Sequence, residues 1–237
     1  MEHRFSRTEA LLGKEALARL SHARVAVFGL GGVGGYVIEA LARSGVGSLD
    51  IIDGDTVSLT NINRQILALT DTVGQLKCAV AAERIRAIHP ACCVRAYPVF
   101  FSEELAGDFD FSVYDAVVDA IDDVPAKLSI IRHCREAGTP VISAMGAGNK
   151  LDPTAFEVAD IAKTSVCPLA RKMRTELRRM GITEGVTVVY SKEPPRGSAL
   201  TEDGRRIPAS CAFVPAAAGL LLSAEVVRRL TLDVPSP

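Results

Sequence analysis

The stretch Asp53-Gly54-Asp55-Thr56-Val57-Ser58-Leu59-Thr60-Asn61-Ile62-Asn63-Arg64-Gln65 sets two carboxylates, an amide and a guanidinium close behind an apolar run, Leu49 to Ile52. A carboxylate at the end of such a run can accept hydrogen bonds from a ribose diol, which is the place Asp53 holds. Arg64 suits a polyphosphate. Upstream, Gly29-Leu30-Gly31-Gly32-Val33-Gly34 follows the apolar run Val25 to Phe28 and precedes a helical pattern through Ile38, Leu41 and Ala42. The glycines Gly29, Gly31, Gly32 and Gly34 allow a tight turn and a close approach to phosphate, and the helix start offers unpaired N–H groups and partial positive charge. This much suits NAD as well as ATP. Asp55, Asn61 and Gln65 are harder to place in a dinucleotide site. Lys77 opens a helix from Lys77 to Ile88 and could bring a second cation to the same phosphates. The run Asp115 to Val118 reads as a buried strand that delivers Asp119-Ala120-Ile121-Asp122-Asp123 to the same edge, where a carboxylate could hold Mg2+.

With these residues in view, the chain resembles the adenylating enzymes related to ubiquitin-activating enzymes, a family that includes the activators of sulfur carriers in thiamin and molybdopterin synthesis. The likeness begins at Arg4-Phe5-Ser6-Arg7. It takes in the glycine loop, the pattern D-x-D-x-V-x3-N-x2-R-Q and Lys77, and closes at D-x-x-D, Asp119 to Asp122. The resemblance implies that Asp53 and Asp55 sit near the ribose, that Asn61, Arg64, Gln65 and Lys77 contact ATP, and that Asp122 is the catalytic aspartate linked to Mg2+. It further implies a homodimer, with Arg7 reaching the partner's phosphates, and leaves room for a monovalent cation beside ATP.

These residues need a scaffold. Strand and helix patterns alternate from Val25 to Met145 without a linker, and 237 residues at 48% hydrophobic suffice for one good core. The expected fold is α/β, a Rossmann-like doubly wound sheet, mostly parallel, with helices on both faces. Residues 1–237 are expected to form one adenylation domain, with an ATP-binding core over 1–150 and a substrate-facing segment and terminal helix over 151–237. The amino terminus lacks the apolar core of a signal peptide and no apolar run is long enough to span a bilayer, so the expectation is a cytoplasmic protein without a membrane partner. The most hydrophobic stretch, Ala212 to Val227, is interrupted by Pro215, Gly219, Ser223 and Glu225 and reads as a buried or subunit-facing helix. Six scattered cysteines form no C-x-x-C pair, which argues against structural zinc. Cys78, Cys92, Cys93 and Cys134 are expected to be small buried hydrophobes.

Net charge is only −1, but from Lys163 to Arg179 six basic residues face Glu176 alone, a local charge of +5. On a helical wheel, Pro168 to Met180 puts Leu169, Met173, Leu177 and Met180 on one side and Arg171, Arg174 and Arg178 on the other, flanked by Lys172 and Arg179. Such a face can track phosphates, although an isolated basic helix is more often a solvated surface. The wording around it, Asp160-Ile161-Ala162-Lys163-Thr164 with Pro168-Leu169, Ala144 to Gly148 and Asp152-Pro153, resembles the branch of the family that dehydrates threonylcarbamoyladenosine in tRNA. That resemblance implies ATP-dependent adenylation of the threonyl carboxylate and ring closure. Lys163, Arg171, Arg174 and Arg178 would then be the tRNA face. The departures from the branch lie after Val186.

Three other functions fit some of the same residues. Adenylation of the C-terminal glycine of a small sulfur-carrier protein would bring in a sulfur-transfer or sulfur-acceptor partner, with Cys167 or Cys211 as acceptor thiol. An NAD oxidoreductase would leave Asp55, Arg64 and Lys77 without a role, and a nucleotide-dependent scaffold would leave Asp122, Arg64 and Lys77 idle. Asp119 and Asp123 are expected to cap the helix starting near Pro125, and the residues alone would let Asp122 do so too. His22 and His89 are expected at helix ends. Gly146 and Gly148 are expected to shape the turn after the strand Val141 to Ser143, where they could also border the substrate.

Overall fold

In the computed structural model, which describes residues 3–197, 201–202 and 205–232, the strands are β1 (Arg24–Phe28), β2 (Ser48–Ile52), β3 (Cys93–Tyr97), β4 (Ala116–Asp119), β5 (Val141–Ala144), β6 (Phe156–Asp160) and β7 (Thr187–Ser191). They form one sheet in the order β3-β2-β1-β4-β5-β7-β6. Every pairing is parallel except that of β6 with β7. The helices are α1 (Ser6–Leu12), α2 (Lys14–His22), α3 (Gly34–Ser44), α4 (Lys77–Ile88), α5 (Val124–Ala137), α6 (Pro168–Arg179) and α7 (Phe213–Thr231). A short antiparallel ribbon, β8 (Thr201–Glu202) with β9 (Arg205–Arg206), stands apart from the sheet.

Both faces of the sheet are covered, so its central strands are apolar throughout. In β1, Val25 and Val27 point into a core shared with Val37, Leu41 and Leu222, while Ala26 and Phe28 point into a second core with Ile130 and Met173. The stretch Ala212 to Val227 forms the N-cap and most of α7, buried along Val214, Ala218, Leu222 and Val226. Its backbone approaches α3 so closely that a Cβ on Gly219 would lie 2.5 Å from the carbonyl oxygen of Val33. Glu225 survives burial in α7 because Arg228 and Arg229 both pair with it. The terminal helix thereby braces the helix that follows the glycine loop.

Two expectations are corrected. Cys93 is exposed, because β3 is an outermost strand of the sheet. Met180 is 39% exposed and outside the inward stripe, which consists of Ala170, Met173 and Leu177 with Leu169 beside them. The helix stops at Arg179, and the amide of Ile182 closes back on the carbonyl of Leu177 past a left-handed Gly181, turning Met180 outward. His22 ends α2 and His89 caps α4, as expected. Among the described residues no helix is long and apolar enough to cross a membrane.

Candidate nucleotide-binding site

From β1 the chain steps outward through β2 and β3, and from β4 it steps the other way to β5. Loops leaving β1 and β4 therefore diverge and open a crevice at the carboxyl ends of the strands, the usual ligand position in such a sheet. A cavity of about 800 Å3 occupies it. Gly29, Gly31, Gly32, Asp53, Asp55, Asn61, Arg64, Gln65, Lys77 and Asp122 all border this one cavity, whereas Gly34 is not part of its wall.

The four glycines divide into two kinds. Gly29 adopts φ +88° with its would-be Cβ 2.7 Å from the carbonyl oxygen of Ala120, and a Cβ on Gly34 would lie 1.7 Å from the carbonyl oxygen of Gly29. No side chain fits at either place. Gly31 has nothing nearer than Gln65 Nε2 at 3.9 Å, and a Cβ on Gly32 would meet the side chains of Pro215 at 3.3 Å and Arg64 at 3.6 Å. Both of these glycines line the cavity.

Asp53 holds the loop in shape. Its carboxylate accepts the Leu30 amide at 2.6 Å and the Asp55 amide at 2.8 Å, with lone pairs left for a ligand hydroxyl. Lys77, the first residue of α4 and 5% exposed, donates to Asp55 at 2.7 Å. Asn61 sits in a turn where its side-chain oxygen accepts the Ser58 amide at 3.1 Å. The Arg64 guanidinium donates to the Thr60 carbonyl at 2.7 Å and to Asn63 Oδ1 at 2.9 Å, which leaves further N–H groups for an anion. Gln65 is nine-tenths buried, and its Oε1 finds no hydrogen-bond partner among the described residues. A buried orphan acceptor at a cavity wall suits a ligand that donates a hydrogen bond, as a nucleoside does.

The three aspartates after β4 have separate fates. Asp123 caps α5 by accepting the Ala126 amide at 2.9 Å. Asp119 caps nothing, contrary to expectation. It is fully buried and bound to Lys127 and Ser143, because β4 carries its side chain into the interior. Asp122, between the two, is exposed in the cavity and makes no hydrogen bond or ion pair among the described residues. Among those residues no three His, Cys, Asp or Glu side chains converge on a metal position. A Mg2+ ion here would rest on Asp122 and on phosphate oxygens, a donor set that Mg2+ accepts readily.

Several wall residues escaped the motif reading. Phe100 is 69% exposed and covers Gly54, whose would-be Cβ lies 2.7 Å from it. Val99 and Phe101 continue that apolar wall, which a nucleobase could use. Only their place after a strand could have flagged them. Pro208, Ser210 and Pro215 close the opposite wall, with Asn63 donating to the Ser210 carbonyl at 3.0 Å across the chain. Gly148 borders the cavity, whereas Gly146 packs near Cys167 and Leu169.

Arg7 does not join the site. It is exposed on α1 and outside the cavity wall. Lys163, Arg171 and Arg178 are exposed, with Lys172 beside them. Arg174 is corrected: it is half-buried and donates to both the carbonyl and the hydroxyl oxygen of Thr164, tying α6 to the preceding turn. The thiols give little to chemistry. Cys167 is 1% exposed, and Cys211 is half-buried with only a weak 3.9 Å contact to the Lys150 carbonyl. Burial pushes the Cys78 thiol up to about 11.

Fold and site together define a nucleotide-binding α/β protein with cations and an available carboxylate at the phosphate end. Residues 5–236 match the ThiF family, and the chain belongs to it. It is 43% identical over 246 residues to the tRNA threonylcarbamoyladenosine dehydratase of Bacillus subtilis, covering 99% of this chain and 97% of that one. The solved tRNA N6-threonylcarbamoyladenosine dehydratase of E. coli in complex with AMP superposes with a TM-score of 0.90 at 37% identity, over 97% of this chain and 94% of that one. The same enzyme in complex with ATP gives a TM-score of 0.88 at 36% identity, with the same coverage of both chains. The sulfur carrier protein adenylyltransferase of Thermus thermophilus is 37% identical over 55% of this chain and 48% of its own length.

Proposed function

We propose that this chain is an ATP-dependent dehydratase of threonylcarbamoyladenosine in tRNA, acting through adenylation of the threonyl carboxylate. Likeness to the dehydratases over nearly the full length carries the reading, whereas the sulfur-carrier relative is matched over about half. The carboxylate attacks the α-phosphorus of ATP and pyrophosphate leaves. A nucleophile within the same modified side chain then attacks the acyl carbon, a five-membered ring closes and AMP departs. The modified nucleoside has lost one water. No protein nucleophile is needed, in keeping with the buried Cys167.

In this reading Gly29, Gly31, Gly32 and Gly34 form the phosphate turn, Gln65 and Asp53 hold the nucleoside, and Asn61 positions the reacting groups. Arg64 and Lys77 oppose the charge that builds on phosphate, with Lys77 exchanging Asp55 for a phosphate oxygen. Mg2+ held by Asp122 would neutralise the same charge. Exposed Lys163, Arg171, Lys172 and Arg178 form the surface that meets tRNA, and a homodimer would allow Arg7 to complete the site of its partner. Residues 1–237 act as one adenylation domain, with 1–150 holding ATP and 151–237 facing substrate.

Purified protein incubated with ATP, Mg2+ and tRNA bearing threonylcarbamoyladenosine should yield a nucleoside lighter by one water, and Asp122→Ala should not. Pyrophosphate exchange with a small carrier protein, and no such nucleoside, would sink the reading in favour of carrier activation.

A further inference from the structure

Lys127, Asp119 and Ser143 are each fully buried, on α5, β4 and β5 respectively, directly behind the loop that bears Asp122. The Asp119 carboxylate accepts from Lys127 Nζ at 2.9 Å and from Ser143 Oγ at 2.5 Å through one oxygen, and from the Ile121 amide at 3.2 Å through the other. Lys127 also reaches Ser143 Oγ at 3.3 Å. On the far side of Asp122, Asp123 is pinned by capping α5, and the Lys127 amide donates to the Asp123 carbonyl at 3.1 Å. The residues on both sides of Asp122 are thus anchored, while its own side chain has no hydrogen-bond or ion-pair partner among the described residues.

A buried ion pair is a weak source of stability, since desolvating both charges offsets much of their attraction, and well-packed apolar groups commonly do as well. What the cluster supplies that apolar groups cannot is an acceptor for the Ile121 amide, one residue from Asp122. We infer that Asp119, Lys127 and Ser143 are positioning residues whose buried network fixes the loop 120–123 so that Asp122 faces the phosphates. This rests on the proposed role of Asp122 and extends it to residues that touch neither ATP nor tRNA. Lys127 and Ser143 keep the Asp119 carboxylate turned so that its second oxygen meets the loop backbone.

Two variants separate positioning from packing. Asp119→Leu/Lys127→Met/Ser143→Ala replaces the network by apolar groups and removes the acceptor. Asp119→Asn/Lys127→Met removes both charges but keeps an amide oxygen for Ile121 and a donor for Ser143. The triple variant should fold with an undiminished thermal midpoint. Its turnover should fall at least about tenfold, as a misplaced catalytic group costs. It should also lose the gain in ATP affinity that Mg2+ gives over EDTA, while metal-free affinity stays within about twofold. Amide exchange across 120–123 should speed up. The double variant should retain turnover, the Mg2+ gain and slow exchange. Retention of all three by the triple variant, or equal losses in both variants alongside a lowered thermal midpoint, would overturn the inference. Should the wild-type chain form no dehydrated nucleoside, the functional reading fails instead, and the exchange rates still decide whether the network holds the loop.

Discussion

The loops after β1, β2 and β4 and the surface of α6 both carry charge suited to a polyanion, yet they are built differently. Around the cavity, charged groups are held by backbone amides, a buried lysine and glycines that admit no side chain. On α6, Arg171, Lys172 and Arg178 stand in solvent, and Arg174 is spent on the turn before the helix. A site for small charged atoms needs geometry fixed to a fraction of an ångström. A surface for a long phosphate chain needs only charge density, which salt can screen.

The sharpest way to break this contrast is to substitute within the glycine loop. Gly34→Ala places a methyl group 1.7 Å from the Gly29 carbonyl oxygen and should leave little folded protein, whereas Gly31→Ala, with 3.9 Å of clearance, should fold normally and weaken ATP binding. Thermal unfolding and nucleotide titration read the pair, and equal behaviour of both would contradict the division. Next, Asp122→Ala should reduce turnover by about a hundredfold or more with tRNA affinity unchanged, measured by nucleoside mass and filter binding.

On the α6 side the effects should be smaller and salt-dependent. Arg171→Ala/Lys172→Ala/Arg178→Ala should lower tRNA affinity and reduce the slope of log affinity against log salt by roughly 2 to 3, leaving ATP affinity unchanged. An unaltered slope would remove this face from tRNA binding. Arg174→Ala should leave that slope in place and instead destabilise the fold by about 1 kcal/mol in denaturant titration, because its bonds to Thr164 are lost. The smallest effect concerns thiols. Burial raises Cys78 and Cys92 to about 11 each, so both remain protonated at pH 8, and iodoacetamide there should label exposed Cys93 and spare those two.

The relation between sequence and site follows the same divide. The glycine loop, Asp53 and Lys77 were legible because each is a local pattern with one structural meaning, and Lys77–Ile88 is a helix with the bounds its spacing predicts, whereas the strand expected over Asp115 to Val118 runs from Ala116 to Asp119 and leaves Asp115 exposed. The aspartates of 119–123 were not separable, since any of them suits a helix start. Their distinction depends on β5 and α5, which supply Ser143 and Lys127 to Asp119 alone. Phe100 and Pro208 carry no motif and become wall residues only when distant segments meet. Arg174 has the helical phase of an outward residue, but a wheel contains no neighbouring turn to capture it.

Sequence by itself determined the doubly wound sheet, the nucleotide loop and the residue types gathered at its edge, because hydrophobic period and glycine sterics act over a few residues. Tertiary structure alone decided which aspartate is free, which arginine is spent and which thiols are hidden, because hydrogen-bond partners and burial come from segments far apart in the chain.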